Sequence, residues 1–212
     1  MTAELDNPFW SALNTSHRHL AIGGDGWARY PAECAPFLGV ADAQVDLSDA
    51  LAPGEQVFLL GVLPPVPAGW QLTAFRPLAQ MVCEQPVVVI DGPSIVPLAT
   101  EADRSDVLAL TALVYPHYFR SRTMELGRYF GIRRDGQLAA MIGERLGTDH
   151  AQEMSAICTH PDHLGQGHAR RLTAWLGNDA LARGLLPFLH VSYENPRAKS
   201  LYHQLGYRVR VD

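Results

Sequence analysis

Residues 153 to 171, EMSAICTHPDHLGQGHARR, constrain this chain more than any other stretch. Glu153 to Cys158 reads as a strand, and THPDHLGQG is rich in turn formers. A helical run then opens near His168, where Ala169, Leu172, Leu176 and Ala180 recur at the three- and four-residue spacing of an amphipathic helix. Gly165 and Gly167 fall where strand gives way to helix. The first N–H groups of a helix have no intrahelical partner and lie at the positive end of its dipole, so such a junction favours an anion. Glycine lets the backbone approach that anion without a Cβ in the way. The stretch therefore reads as a phosphate-binding junction, with an ordinary tight turn as the alternative.

Its surroundings sharpen the reading. The segment LGQGHA, with Gly167 and Ala169 at the last two fixed positions, resembles motif A of the GCN5-related N-acetyltransferase (GNAT) superfamily, Q/R-x-x-G-x-G/A. ICTHPDH resembles the strand and approach that precede that motif. LHVSYENPRAKSLYHQLGYRVR resembles the family's closing strand, its N-x-x-A-x-x-L-Y-x-x-L-G-[FY] helix and its final strand, and SIVPLATEAD its first strand and first helix. One position departs: Leu164 stands at the Q/R place, so charge there falls to Arg170 or Arg171. The resemblance covers roughly residues 95 to 212. It implies an α+β GNAT fold, a mixed and mostly antiparallel twisted sheet flanked by helices. Residues 1 to 94 lie outside its motifs and are read as an accessory region or a degenerate second copy.

Composition narrows the rest. The 212 residues, 47% of them hydrophobic, suffice for one large or two small domains. No window holds 18 consecutive apolar residues, so no transmembrane helix is expected. MTAELDNPFW offers no apolar signal core, and the widely spaced Cys34, Cys83 and Cys158 show no zinc pattern; a reducing cytoplasm is the simplest expectation. A net charge of -5 argues against a general nucleic-acid binder.

Along the chain, Asn7 to Leu13 predicts a short helix with Phe9, Trp10 and Leu13 on a shared face. The Gly-Gly-Asp-Gly run at 23 to 26 predicts a turn, not a second phosphate loop, because no helical pattern follows it. Gln56 to Leu63 and Val87 to Ile90 are short apolar runs bounded by Pro and Gly, read as buried strands. Asp91-Gly92-Pro93 is a turn signal, and Thr100 with Asp103 opens a helix in the manner of a capping box. Val107, Leu110, Thr111 and Val114 give that helix its face, and Pro116 ends it. Arg128 to Arg133 and Leu138 to Arg145 read as a hairpin about an Asp-Gly turn.

The resemblance implies acyl transfer from acetyl-CoA, as co-substrate, to the amine of a small molecule or peptide. An amine of pKa near 10 is only ~0.1% neutral at pH 7, so exposing its lone pair is worth about 4 kcal/mol and a base can supply part of it. Glu153 is the candidate base. It precedes Leu164 by eleven residues, as the catalytic glutamate does in the histone-acetyltransferase branch, and strand alternation puts Glu153, Ser155 and Ile157 on one face with Met154, Ala156 and Cys158 on the other. A solvent-facing strand glutamate is the alternative, Glu144 the second candidate base. Tyr202 is the candidate acid for the leaving thiolate, by resemblance, or else a packing tyrosine. Asn195 caps the helix that Pro196 opens, and the resemblance also makes it a carrier contact. Pantetheine would lie as a pseudo-strand where 153–158 and 187–192 part, bonded near Ile157, Cys158 and Thr159; Leu164, Gly165, Gln166, Gly167, His168, Ala169 and Arg170 would hold the pyrophosphate. Cys158 as a nucleophile, or zinc on His160, His163 and His168, are weaker alternatives. The region Tyr115 to Arg128, aromatic and Arg-bearing, would line an acceptor groove. A catalytically degenerate acyl-CoA-binding module or sensor is the other function class. A Rossmann or P-loop nucleotide site lacks its third glycine or its Gly-Lys-Ser/Thr.

Overall fold

The computed structural model describes residues 3–114, 116 and 119–211. The chain divides into two compact units, Met1–Phe75 with Leu146–Asp149, and Arg76–Arg145 with His150–Asp212.

In the first unit, helix α1 (Pro8–Asn14) precedes three short strands, β1 (Ile22–Gly24), β2 (Trp27–Arg29) and β3 (Leu38–Val40), ordered β1-β2-β3 and antiparallel. Asp25 and Gly26 form the β1–β2 turn, with Gly26 at φ 74°, so the glycine run ends β1 and makes the hairpin turn. Helix α1 buries Phe9, Ala12 and Leu13, with Trp10 half-buried, and Phe9 stacks on Phe37 at 4.4 Å between ring centroids. Gly39 is required where α1 crosses β3, since a Cβ there would meet the Trp10 backbone nitrogen at 2.3 Å. The expected strand at Gln56 to Leu63 does not form. Only Phe58 makes a bridge, to Phe37, and Gly61, at φ 90°, turns the chain against the Asp6 carbonyl before the prolines that follow.

The second unit is a seven-stranded sheet of β4 (Leu78–Val82), β5 (Ile95–Pro97), β6 (Tyr129–Arg134), β7 (Gln137–Gly147), β8 (Ala151–Thr159), β9 (Leu186–Ser192) and β10 (Arg208–Val211). Their order is β10-β4-β9-β8-β7-β6-β5. Helices α2 (Glu101–Val114), α3 (His168–Ala182) and α4 (Pro196–Gln204) complete it. This is the mixed, mostly antiparallel sheet flanked by helices that the sequence led us to expect. The β6–β7 loop is Asp135-Gly136 with φ 50° and 81°, both positive, as a two-residue hairpin of the right twist requires.

Two differences matter. The sheet draws β4 from before residue 95 and inserts it between β9 and β10, antiparallel to both. Val87 to Ile90, expected as a buried strand, is not one: Val88 is 83% exposed, and the Asn178 side chain takes both the N–H and the carbonyl of Val87, at 2.9 and 2.8 Å. Those two bonds replace a strand partner.

One core lies on the α3 and α4 face, with Met81, Ile142, Met154, Leu172, Leu176, Leu189 and Tyr202 among its members. A second, with Leu98, Val107, Leu110, Met141 and Cys158, lies on the α2 face. Helix α2 starts as a reciprocal capping box: Thr100 N donates to Asp103 Oδ2 at 3.0 Å and Asp103 N to Thr100 Oγ1 at 3.2 Å. The Thr100 hydroxyl and N–H, which both donate to Oδ2, and then the Arg133 guanidinium hold the Asp103 carboxyl well below the usual carboxylate range. Thr100→Ala should cost about 1 kcal/mol in denaturant unfolding.

Candidate active site

Strands β8 and β9 run parallel, in register from Ala151↔Leu186 to Glu153↔Phe188. There the pairing ends, although β8 continues to Thr159 and β9 to Ser192. Strand β9 stays paired with β4 throughout that distance, from Val82↔Phe188 to Leu78↔Ser192. The sheet therefore opens beyond Glu153, with β9 held from one side.

Strand β8 does not alternate simply. Ala156 sits at φ 50°, a left-handed conformation that L residues avoid. Met154 and Ile157 both pack into the α3-side core, whereas Ala156 and Cys158 pack into the α2-side core. The expected grouping of Ile157 with Glu153, and of Ala156 and Cys158 with Met154, is corrected accordingly. One extra residue at a bulge returns Ile157 to the face of Met154.

Past β8 the chain reaches α3 through Gly165 and Gly167, both at φ 77°. A Cβ on Gly165 would meet nothing within 4 Å, and one on Gly167 only Ile90 Cδ1 at 3.1 Å. Gly167 is the N-cap, and no side chain caps the first turn. The start of α3 thus presents N–H groups past an open glycine, a geometry suited to an anion. His168 begins the helix, 4% exposed, its Nε2 buried without a partner; burial, then the nearby charges of His163 and Arg134, push its pKa down. Gln166 and Leu164 are exposed and Ala169 half-buried. The Arg171 guanidinium bonds the carbonyls of Pro93, at 3.0 Å, and Ile90. Arg170 bonds Gln204 at 3.2 Å. The rings of His160, His163 and His168 follow one another at 5.9 and 6.4 Å, and His160 accepts from Asp162 N. Among the described residues no cluster of His, Cys, Asp and Glu is arranged to hold a metal ion.

Glu153 is fully buried and bound on both oxygens. Arg145 donates to them at 2.7 and 2.6 Å, and His190 Nδ1 lies 2.7 Å from Oε1. Burial pushes this carboxyl up, but the Arg145 charge and the bonds from Arg145 and His190 more than offset it and hold the pKa at about 2. A carboxylate so held has little drive to take a proton from an ammonium group. Its geometry suits anchoring better than base catalysis. Glu144 is equally engaged, on the α3 face: Arg128 bonds it at 2.6 and 3.0 Å and Arg183 at 2.5 Å, while both arginines also bond Asp179.

Tyr202 is 7% exposed in the α3-side core, its ring 6.1 Å from that of Tyr207. Asn195 caps α4, accepting from Ala198 N at 3.0 Å. Cys158 is buried, and burial pushes its thiol up to about 11, which removes the thiolate that a nucleophile needs. In the expected acceptor region Tyr115, His117 and Tyr118 lie outside the described residues. Arg122 there is paired with Glu125, at 2.7 Å, and Arg128 with Glu144.

Sequence reasoning missed Arg145, His190 and Gln80. Gln80 Nε2 lies 3.1 Å from His190 Nε2, and Arg210 Nη1 donates to Gln80 Oε1 at 2.9 Å. The signal available was a single polar residue inside each of two apolar strands, LAQMV and LPFLHVS.

Residues 129–212 match the family model of FR47-like proteins. No curated protein is similar enough to match the chain. Among solved structures, a protein assigned to the GNAT family of acetyltransferases from Novosphingobium aromaticivorans DSM 12444 is 33% identical, with a TM-score of 0.87 over 97% of this chain and 93% of that one. More distant likenesses show the fold alone. A GNAT-family acetyltransferase from Colwellia psychrerythraea is 15% identical, TM-score 0.54, over 63% of this chain and 52% of that one. A GCN5-related N-acetyltransferase from Sphaerobacter thermophilus is 17% identical, TM-score 0.51, over 63% of this chain and 48% of that one. With the opened sheet, the uncapped glycine mouth of α3 and a one-third-identical relative aligned over nearly its whole length, this chain belongs to the GNAT superfamily of acyltransferases.

Proposed function

We propose that the chain moves an acetyl group from acetyl-CoA to the amine of a small molecule or peptide, by direct attack of the amine on the thioester. The observation that carries this reading is the end of the β8–β9 ladder at Glu153↔Phe188, where two strands run on unpaired with each other beside the mouth of α3. Main-chain groups near Ile157, Cys158 and Thr159 would bond the pantetheine as a strand would. Leu164 to Arg170 would hold the pyrophosphate through N–H groups. An N–H of Ile157 or Cys158 would face the oxyanion, and Tyr202 would protonate the leaving thiolate. Glu153 serves in this reading as an anchor of the opening, and the ammonium proton goes to solvent. Asn195 shapes the opening by capping α4.

The engagement of both Glu153 and Glu144 favours a second reading, an acyl-CoA-binding module without turnover. Calorimetric titration with acetyl-CoA, NAD and ATP, followed by an acetyl-CoA consumption screen over amino acids, polyamines, aminoglycosides and peptide N-termini, separates the possibilities. Acetyl-CoA binding with turnover is expected; binding without turnover on any acceptor selects the module, and binding of NAD or ATP alone sinks both. Gly167→Ala forces a Cβ onto a left-handed residue and toward Ile90, and should weaken acetyl-CoA binding about tenfold. Tyr202→Phe should lower turnover and leave that affinity unchanged.

A further inference from the structure

The polar side chains on the α2 face of the sheet form a continuous line across five neighbouring strands. From β10 to β7 they are Arg210, Gln80, His190, Glu153 and Arg145. The polarity of the line is set from one end. Glu153 is held as an anion between Arg145 and His190, so it accepts, and Nδ1 of His190 must carry a proton. Arg210 can only donate, so Gln80 meets it with its carbonyl oxygen and turns its amide N–H to His190 Nε2. The two contacts therefore call for a proton on Nδ1 and an acceptor at Nε2 of His190.

Its place in the sheet gives this arrangement a use. His190 lies two residues beyond Phe188, the last residue of β9 paired with β8, while Gln80 is its direct partner in the intact β4–β9 ladder. Beyond the last backbone pair, the bond from His190 to Glu153 ties the free side of β9 back to β8. It stands where the strands begin to part, and one end is on a fully buried carboxylate that cannot swing away.

We infer that His190 is a positioning residue: its Nδ1–H bond to Glu153 sets the separation of β8 and β9 at the closed end of the opening, and with it the fit of the acyl-CoA thioester arm. This rests on the acyl-CoA reading proposed above. His190 touches neither carrier nor acceptor in this role, and acts through the distance between two strands. A bond between side chains is used here because a further backbone pair would close the gap.

Two isosteric replacements separate this role from plain stability. The amide nitrogen of Asn falls near the place of Nδ1, so His190→Asn keeps the donor to Glu153 and loses the contact with Gln80. Gln reaches the place of Nε2, so His190→Gln keeps the contact with Gln80 and loses the tie. Each variant removes one part-buried hydrogen bond, and both are expected to fold, with His190→Gln the less stable of the two because its lost bond is to a charged group. Calorimetric titration with acetyl-CoA should show His190→Gln weaker by about tenfold, as for loss of a charge-assisted bond, and His190→Asn close to the wild type. Equal affinities in the two variants overturn the inference while leaving the acyl-CoA reading intact. No binding by the wild type overturns both. Should neither variant fold, the ring nitrogens of the ¹⁵N-labelled wild type decide: a proton on Nδ1 with acetyl-CoA bound supports the tie, and a proton on Nε2 alone overturns it.

Discussion

Glu153→Ala should lower the free energy of unfolding by about 3–5 kcal/mol, because it leaves the Arg145 guanidinium and the His190 N–H without their shared acceptor beneath the sheet. Glu153→Gln keeps the shape and removes the charge, and should cost less. Acid titration gives the same residue a second signature. The folded carboxyl titrates at about 2, below the 4.5 of a free glutamate. Its contribution to stability is therefore fully present above pH 4.5 and is lost as the pH falls through 2. Urea unfolding of the wild type and Glu153→Gln, followed from pH 7 down to 2, should show the gap between them narrowing over that window. A gap that stays constant with pH would remove the charge-anchoring account of Glu153. Turnover adds a further reading. If Glu153 anchors and does not take the proton, the acceptor-amine pH profile of Glu153→Gln keeps the wild-type break point.

Glu144→Ala carries an expected loss of similar size, about 3–5 kcal/mol, for a parallel reason on the opposite face. Glu144 is 3% exposed and bonds Arg128 and Arg183, which also share Asp179, so β7, the start of β6 and the end of α3 are joined through one charge-balanced cluster. Removing the buried anion leaves two guanidinium groups facing one half-exposed aspartate. Asp179→Asn, at the more exposed end, should cost no more than about 1 kcal/mol. Denaturant midpoints of the two variants check the ranking. An Asp179→Asn loss equal to that of Glu144→Ala would mean that the cluster behaves as one unit and not as a buried anchor with a solvated rim.

These two glutamates mark the line between what was legible and what was not. Both were readable as acids on strands, and neither partner set was. Arg145 is eight residues from Glu153 and His190 thirty-seven, while Arg183 is thirty-nine from Glu144. Spacing along a chain cannot tell a base waiting for a proton from an anion already spoken for. The bulge at Ala156 had no turn residue to announce it, since alanine is an unusual occupant of a left-handed position, and it moved Ile157 and Cys158 to the faces opposite those expected.

By itself the sequence determined the features set by dihedral preference within a few residues: the Asp135-Gly136 hairpin, the Thr100–Asp103 and Asn195 caps, and the glycines that open α3. Each rests on a residue type whose own backbone or side chain selects the conformation, so it can be read locally. Only the tertiary structure decided that β4 enters the sheet between β9 and β10, that β8 and β9 part after Glu153, and that a line of five polar side chains crosses that point. These are choices among distant partners. They are settled by which buried polar groups find a complement and which apolar faces close against one another, and no stretch of the chain carries that information alone.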